Sequence, residues 1–113
     1  MRIEPDILST TREGPAVRLR LRVPADLVQF RGHFEACPLL PGVTQVDWAI
    51  RYGRQHFGLP KNFRRLSALK FMKVTTPGTE LDLLLSCSNA GELTFRYSAG
   101  DATHSSGRVL FAD

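Results

Sequence analysis

Residues 41–58 read PGVTQVDWAIRYGRQHFG. After Pro41-Gly42, the run from Val43 to Phe57 holds no proline, and its only glycine is Gly53. Val43, Val46, Ala49, Ile50 and Gly53 recur at steps of three and four, the spacing that lines one face of an α-helix. Thr44 is the expected N-cap, and Gly58 followed by Pro60 closes the far end. Trp48 and Tyr52 add bulk on a neighbouring face, so the first half is apolar nearly all round, as suits a helix wrapped by other elements. Arg51, Arg54, Gln55 and His56 make the later turns wetter.

The flanks of this helix read as strands. Upstream, Val17, Leu19, Leu21 and Val23 alternate with Arg18, Arg20 and Arg22, the period of a half-buried strand, which Pro24 ends. Between that strand and the helix lies a mostly irregular segment, residues 25–42, with Pro38, Pro41 and two glycines. A loop of this length in a compact domain tends to carry function. Downstream, Leu66 to Val74 reads as a strand and Pro77-Gly78 as a turn. Leu81, Leu83, Leu85 and Cys87 share one face of the next strand, and Asn89-Ala90-Gly91 makes a short hairpin connection. Leu93, Phe95, Tyr97 and Ala99 alternate with Thr94, Arg96 and Ser98. After Gly100-Asp101, a last strand from Thr103 to Phe111 turns Val109 and Phe111 inward. The order is strand, long loop, helix, then four strands joined by tight turns. The expected class is α+β, a largely antiparallel sheet packed on one long helix.

The length, 113 residues, suits a single domain spanning 1–113. No apolar run approaches the ~20 residues that span a bilayer, and Met1 to Thr10 lacks the apolar core of a signal peptide. Cys37 and Cys87 form neither a CxxC motif nor zinc-ligand spacing, and two free thiols are expected. The expected location is the cytoplasm. The net charge of +4 is modest, but from Arg51 to Lys73 there are seven basic residues and no acid. Such a cluster either steers an acidic partner or is a solvated face with no specific role. It has no RNP-like, zinc-finger or helix-turn-helix pattern, so nucleic-acid binding is not the expectation.

The chemistry is concentrated between the loop and the helix start. His33 is the titratable group of the loop suited to proton transfer near neutral pH, and Gly32 beside it permits close backbone approach. Gly42 falls just before the helix, where unpaired amides point outward with positive potential. Such an amide stabilises an oxygen that gains negative charge, as a thioester carbonyl does when its α-proton leaves. Asp47 lies about one turn into the helix between Val43 and Ile50, and a carboxyl on that apolar side would be desolvated and hold its proton. Taken singly, each residue has a plainer role: His33 as a hydrogen-bonded structural histidine, Asp47 as the i,i+4 partner of Arg51, Pro-Gly as helix punctuation. His56 and His104, without matching spacing, suggest no metal site.

Residues 32–49, GHFEACPLLPGVTQVDWA, resemble the active-site signature of the hot-dog-fold 3-hydroxyacyl-acyl-carrier-protein dehydratases. That signature has a Gly-His-Phe loop, a Pro-Gly nine residues after the histidine and an acid fourteen residues after it; Gly42 and Asp47 stand at those spacings from His33. Within the superfamily, Leu-Pro-Gly-Val-x-Gln-x-Asp-Trp-Ala is most similar to the small dehydratases of aryl polyene gene clusters. Leu69-Lys70-Phe71, Pro77-Gly78 and Gly107-Arg108-Val109-Leu110-Phe111 also match the family's strand pattern, so the resemblance runs from about residue 16 to 112. It implies a hot-dog fold, an antiparallel sheet wrapped around one long central helix. It implies elimination of water from a 3-hydroxyacyl thioester to give the trans-2-enoyl thioester, in fatty-acid-like or aryl polyene biosynthesis. His33 would take the α-proton, Asp47 would protonate the leaving hydroxyl, and the His33 and Gly42 amides would hold the thioester carbonyl. The family acts as dimers with histidine and acid from different subunits, so a homodimer, or a heterodimer with a related subunit, is implied. The carrier is an acidic protein, for which Arg51, Arg54, Arg64 and Arg65 offer a docking surface. Neither metal nor cofactor is implied. Glu35 stands where the family usually has proline, and the short lead-in before the first strand points to a specialised relative. The alternatives are a hot-dog thioesterase, a non-catalytic partner subunit of another hot-dog dehydratase, and a basic nucleic-acid-binding domain.

Overall fold

The computed structural model describes residues 2–30, 39–88 and 91–113. His33, with Gly32, Phe34, Glu35 and Cys37, lies outside the described residues. In chain order the elements are β1 (Asp6–Glu13), β2 (Ala16–Arg22), a 3₁₀ turn (Val28–Phe30), α1 (Gly42–His56), β3 (Asn62–Phe71), β4 (Glu80–Cys87), β5 (Glu92–Ala99) and β6 (Ala102–Ala112). The six strands form one antiparallel sheet in the order β1-β2-β4-β5-β6-β3, and α1 packs on its inner face.

The alternation read from the sequence sets this register. Val17, Leu19, Leu21, Leu81, Leu83, Leu85, Leu93, Phe95, Tyr97, Val109 and Phe111 all turn inward and are buried. Because the side-chain period is two, pairing that aligns one of these residues aligns its whole face. One inward row runs Leu19, Leu83, Tyr97, Ser105, Phe71 across β2, β4, β5, β6 and β3.

Three expectations are corrected. The strand β1 was not foreseen; seven of its eight residues are exposed, so no alternation marks it, and it is held by its ladder to β2. Its partner edge, β3, starts at Asn62 rather than Leu66 and carries irregularities of register between Phe63 and Arg65 and between Ser67 and Lys70. Ala68 there adopts φ +51°, the left-handed conformation of a bulge. The helix buries a different face from the one the apolar spacing suggested: Thr44, Gln45, Trp48, Ala49, Tyr52 and Gly53 face the sheet. Val46 and Ile50 are only partly covered, and Val43 is 77% exposed.

Trp48 is fully buried, and its indole N–H donates to the Ile3 carbonyl at 3.0 Å. The chain before β1 is thereby strapped across the helix, with Gln29 donating to the same carbonyl and Val28 N–H donating to Arg2 O. Trp48→Ala removes both the packing and the strap's anchor, and should destabilise the fold by about 3–5 kcal/mol. Urea denaturation reads this directly; a loss below about 1 kcal/mol would mean that the helix is not packed as described.

Candidate active site

The helix starts earlier than the sequence suggested: Pro41, three residues before the expected Thr44, is the N-cap, and Gly42 is the first helical residue. The Pro41 carbonyl accepts from the Thr44 and Gln45 amides at 3.1 and 3.2 Å, while Thr44 makes no side-chain cap and is buried. The Gly42 amide belongs to the first turn, whose N–H groups have no acceptor inside the helix. Glycine at this point lets the Phe71 ring pack directly on the helix start. A Cβ on Gly42 would lie 2.5 to 3.0 Å from three ring carbons of Phe71, the last residue of β3.

Two buried polar groups of contacts fix this corner. Gln45 is almost fully buried, and its Oε1 accepts from Ser105 Oγ at 2.6 Å while its Nε2 donates to the Leu40 carbonyl at 3.3 Å. Tyr97 Oη donates to the Gln45 backbone carbonyl at 2.6 Å. On the other side, Leu40 N–H donates to the Thr75 carbonyl at 2.7 Å, and Thr75 Oγ1 is bonded to His104 Nδ1 at 2.8 Å. The His104 carbonyl accepts from the Met72 and Lys73 amides. Leu40, just before the helix cap, is thus held at both its N–H and its C=O. Gln45, Ser105, Tyr97 and Thr75 carried no signal as site residues; Gln45 stood out only as part of the motif resemblance.

Beside this corner opens a cavity of about 310 Å³ lined by Leu39, Leu40, Gly42, Gln45, Phe71, Met72, Lys73 and Val74. Its wall is mostly apolar, with the Gly42 backbone at one side, as a pocket for an acyl thioester requires. Asp47 does not line it. The expectation of a desolvated Asp47 is not met in the single chain: its side chain is 61% exposed, and Arg51 donates to Oδ2 at 3.4 Å. Arg51 is shared with Glu4 at 2.8 Å, and the carboxylate of Glu4 raises the guanidinium's pKa above its ordinary value. Asp47 and Val43, one turn apart, are both exposed on a helix face that the described residues leave open.

The basic residues expected to dock a partner are not equivalent. Arg54 stacks its guanidinium 4.7 Å from the Phe111 ring centroid and donates to the Pro60 and Lys61 carbonyls. Arg64 donates to the Asp113 carbonyl. Of Arg51, Arg54, Arg64 and Arg65, only Arg65 has no partner among the described residues.

A family profile described as ApeI-like, ApeI dehydratase, matches residues 9–108, which include this whole corner. The chain belongs to the ApeI-like dehydratase family. The fold is the hot-dog fold of its structural neighbours. The chain is similar to a chain of the dehydratase heterocomplex ApeI:P from Xenorhabdus doucetiae, with a TM-score of 0.87, 30% identity, and coverage of 95% of this chain and 96% of that one. It is also similar to an uncharacterized protein from Erwinia carotovora subsp. atroseptica, with a TM-score of 0.81, 34% identity, and coverage of 95% and 94%. No curated protein matches it. As an ApeI-like dehydratase, the chain carries the family's Pro-Gly turn at a helix start lining an apolar cavity. Among the described residues, no helix is long and apolar enough to cross a membrane.

Burial, with the positive charge of Lys73 nearby, lowers the pKa of His104 from its ordinary 6.5. The ring therefore protonates less readily in the fold than when unfolded. Its contribution to stability is complete above the unfolded value and is lost as pH falls through about 6.5 towards the folded value. His104→Asn keeps a polar atom near Thr75 without titrating. The stability gap between this variant and wild type should change between pH 7.5 and 5.5, measured by urea midpoints at each pH. A constant gap would mean that the histidine titrates normally in the fold.

Proposed function

We propose that this dehydratase acts on a 3-hydroxyacyl chain carried as a thioester on acyl carrier protein, with His33 as base and Asp47 as acid. The observation that carries the reading is the helix start: the first-turn amide of Gly42 borders an apolar cavity, and Pro41, Gly42 and Asp47 keep the family spacing. The thioester carbonyl lies against the Gly42 N–H, which draws charge onto its oxygen as the α-proton passes to His33. The electron pair of that C–H bond forms the double bond. The C–O bond to the 3-hydroxyl breaks as the protonated carboxyl of Asp47 delivers its proton, and water leaves. The base and acid then differ by one proton each from their starting forms, and a proton exchange with solvent resets the pair.

Asp47 in this reading serves a site completed by a second subunit. Its exposure beside Val43, one turn away on a helix face that the described residues leave open, supports that division of labour. The edge strand β3 and the segment after it also expose Phe63, Leu69, Phe71, Met72 and Val74, an apolar border suited to a partner subunit. The partner is either a second copy or a related hot-dog chain, and the assembled enzyme resides in the cytoplasm. Burial of Asp47 in the assembly would give the carboxyl the dry surroundings it lacks in one chain.

The test is a mass assay on a 3-hydroxyacyl thioester of acyl carrier protein. Wild type should remove one water, while His33→Ala and Asp47→Asn should each lower kcat by on the order of 10²–10⁴-fold with the fold intact. Full activity in either variant would remove that residue from the mechanism. Release of free acid in place of the enoyl thioester would replace the dehydratase reading with a thioesterase.

A further inference from the structure

The outer face of the sheet is divided electrostatically. On its β1–β2–β4 half, every arginine of β2 has a carboxylate: Arg18 pairs with Glu13 and Asp82, Arg20 with Glu80 and Asp82, and Arg22 with Glu80. On the β5–β6–β3 half the cations are left over. The ladder sets Lys70, Ser106 and Arg96 in one outward row and Ser67, Arg108 and Thr94 in the next. Lys70, Arg96, Arg108 and Arg65 are exposed, and none has a carboxylate partner among the described residues. Two acids stand diagonally across the ladder from this group: Asp82, near Arg96, is taken by Arg18 and Arg20, and Glu92, near Arg108, forms no ion pair with any of the four.

The bulge at Ala68 lifts β3 away from this row and leaves a hollow of about 200 Å³. Lys70 and Arg108 stand on its walls, with the Thr94 and Ser106 side chains between them. Two cations on the walls of a hydroxyl-bearing hollow, with exposed Arg96 and Arg65 outside it, make a surface that an acidic protein can enter without breaking an ion pair among the described residues.

The position also matters. Lys70, Ser106 and Arg96 each adjoin, in sequence, a member of the inward row Phe71, Ser105 and Tyr97 that grips the helix start. The basic row therefore stands one sheet thickness behind the candidate active site. Met72, Lys73 and Val74, which follow directly on Phe71, line the cavity itself.

From this we infer that the outer face of β3, β5 and β6, centred on Lys70, Arg96 and Arg108, is the docking surface for the acidic face of the acyl carrier protein. The inference rests on the dehydratase reading. It moves docking away from Arg51, Arg54 and Arg64, whose guanidinium groups already hold partners within the chain, and keeps Arg65 at its margin.

The experiment uses the purified protein in its native assembly and the double variant Lys70→Glu with Arg108→Glu. Both residues are exposed, so the fold should be kept. Arg12→Glu, an equal kind of charge change on the exposed far strand β1, serves as the control. KM is measured for one 3-hydroxyacyl group on the carrier protein and on free pantetheine, and carrier binding is read separately by fluorescence anisotropy.

The double variant should raise KM and the dissociation constant for the carrier-borne substrate by on the order of tenfold or more. It should leave the pantetheine thioester unaffected, and the wild-type advantage should shrink as salt is raised. Arg12→Glu should change neither. Unchanged carrier binding in the double variant, or an equal loss in Arg12→Glu, would overturn the docking assignment. So would wild-type binding of duplex DNA that the double variant loses while the carrier binds neither protein. Failure of wild type to turn over the pantetheine thioester would count against the dehydratase reading instead, while the anisotropy comparison still decides the surface.

Discussion

Gln45 is a primary amide buried where an unpaired polar group would cost about 1–3 kcal/mol, so whatever surrounds it must offer hydrogen bonds. Ser105 donates to its Oε1, Leu40 accepts from its Nε2, and Tyr97 donates to its backbone carbonyl. Those partners are not scattered. Tyr97 and Ser105 face each other across β5 and β6, and Ser105 faces Phe71 on β3, whose ring packs against Gly42 in the space a Cβ would take. One row of the sheet therefore determines where the helix begins, and with it where the Gly42 amide points. Since that row extends through Leu83 and Leu19, the register of the whole sheet feeds into the position of one N–H group.

How much of this was legible in the sequence depended on whether burial followed polarity. Leu81, Leu83 and Leu85 against Asp82, or Leu93, Phe95 and Tyr97 against Thr94 and Arg96, alternate because one face is dry and the other wet, so those strands could be read directly. The strand β1 is an edge exposed on nearly every residue, and a strand without a dry face has no period to detect. The helix was recognised but its buried face was misjudged. Apolar spacing favoured Val43 and Val46, whereas the sheet takes Thr44 and Gln45, whose polar atoms are tolerated there only because distant residues satisfy them. Such partners, sixty residues away in the case of Ser105, leave no local trace. Gly42 and Asp47 could be placed by motif spacing. The surroundings of Asp47 could not, because its apolar sequence neighbours Val43 and Ile50 do not cover it and its side chain is left exposed beside Arg51.

Charge shows a similar division between composition and arrangement. The run from Arg51 to Lys73 looked like one basic surface, yet its members do different work once folded: Arg51 bridges Glu4 and Asp47, Arg54 lies over Phe111, and Arg64 holds the chain end. The β2 arginines, which alternation alone would present as a positive stripe, are neutralised by acids from β1 and β4. What remains positive is set by strand order. The order β4-β5-β6-β3 puts Arg96, Arg108 and Lys70 side by side, none of them in an ion pair among the described residues, although they are widely separated along the chain.

The separation of the Gly42 cavity from Asp47 bears on why such an enzyme would be divided between subunits. A general acid for elimination must hold its proton near neutral pH, which requires removing the carboxyl from water. On a free chain Asp47 lies in solvent beside Arg51. Covering the Val43–Asp47 face in the proposed assembly would dry the carboxyl and bring it to the partner's base in the same step. The acid would then be competent only where a base is present to use it, and association would switch on both halves of the chemistry together. A small chain with one thin core could supply neither a deep enclosed site nor two dry faces to its single helix. Borrowing the second face from a partner resolves that constraint, at the cost of leaving Asp47 and Val43 exposed in the isolated subunit.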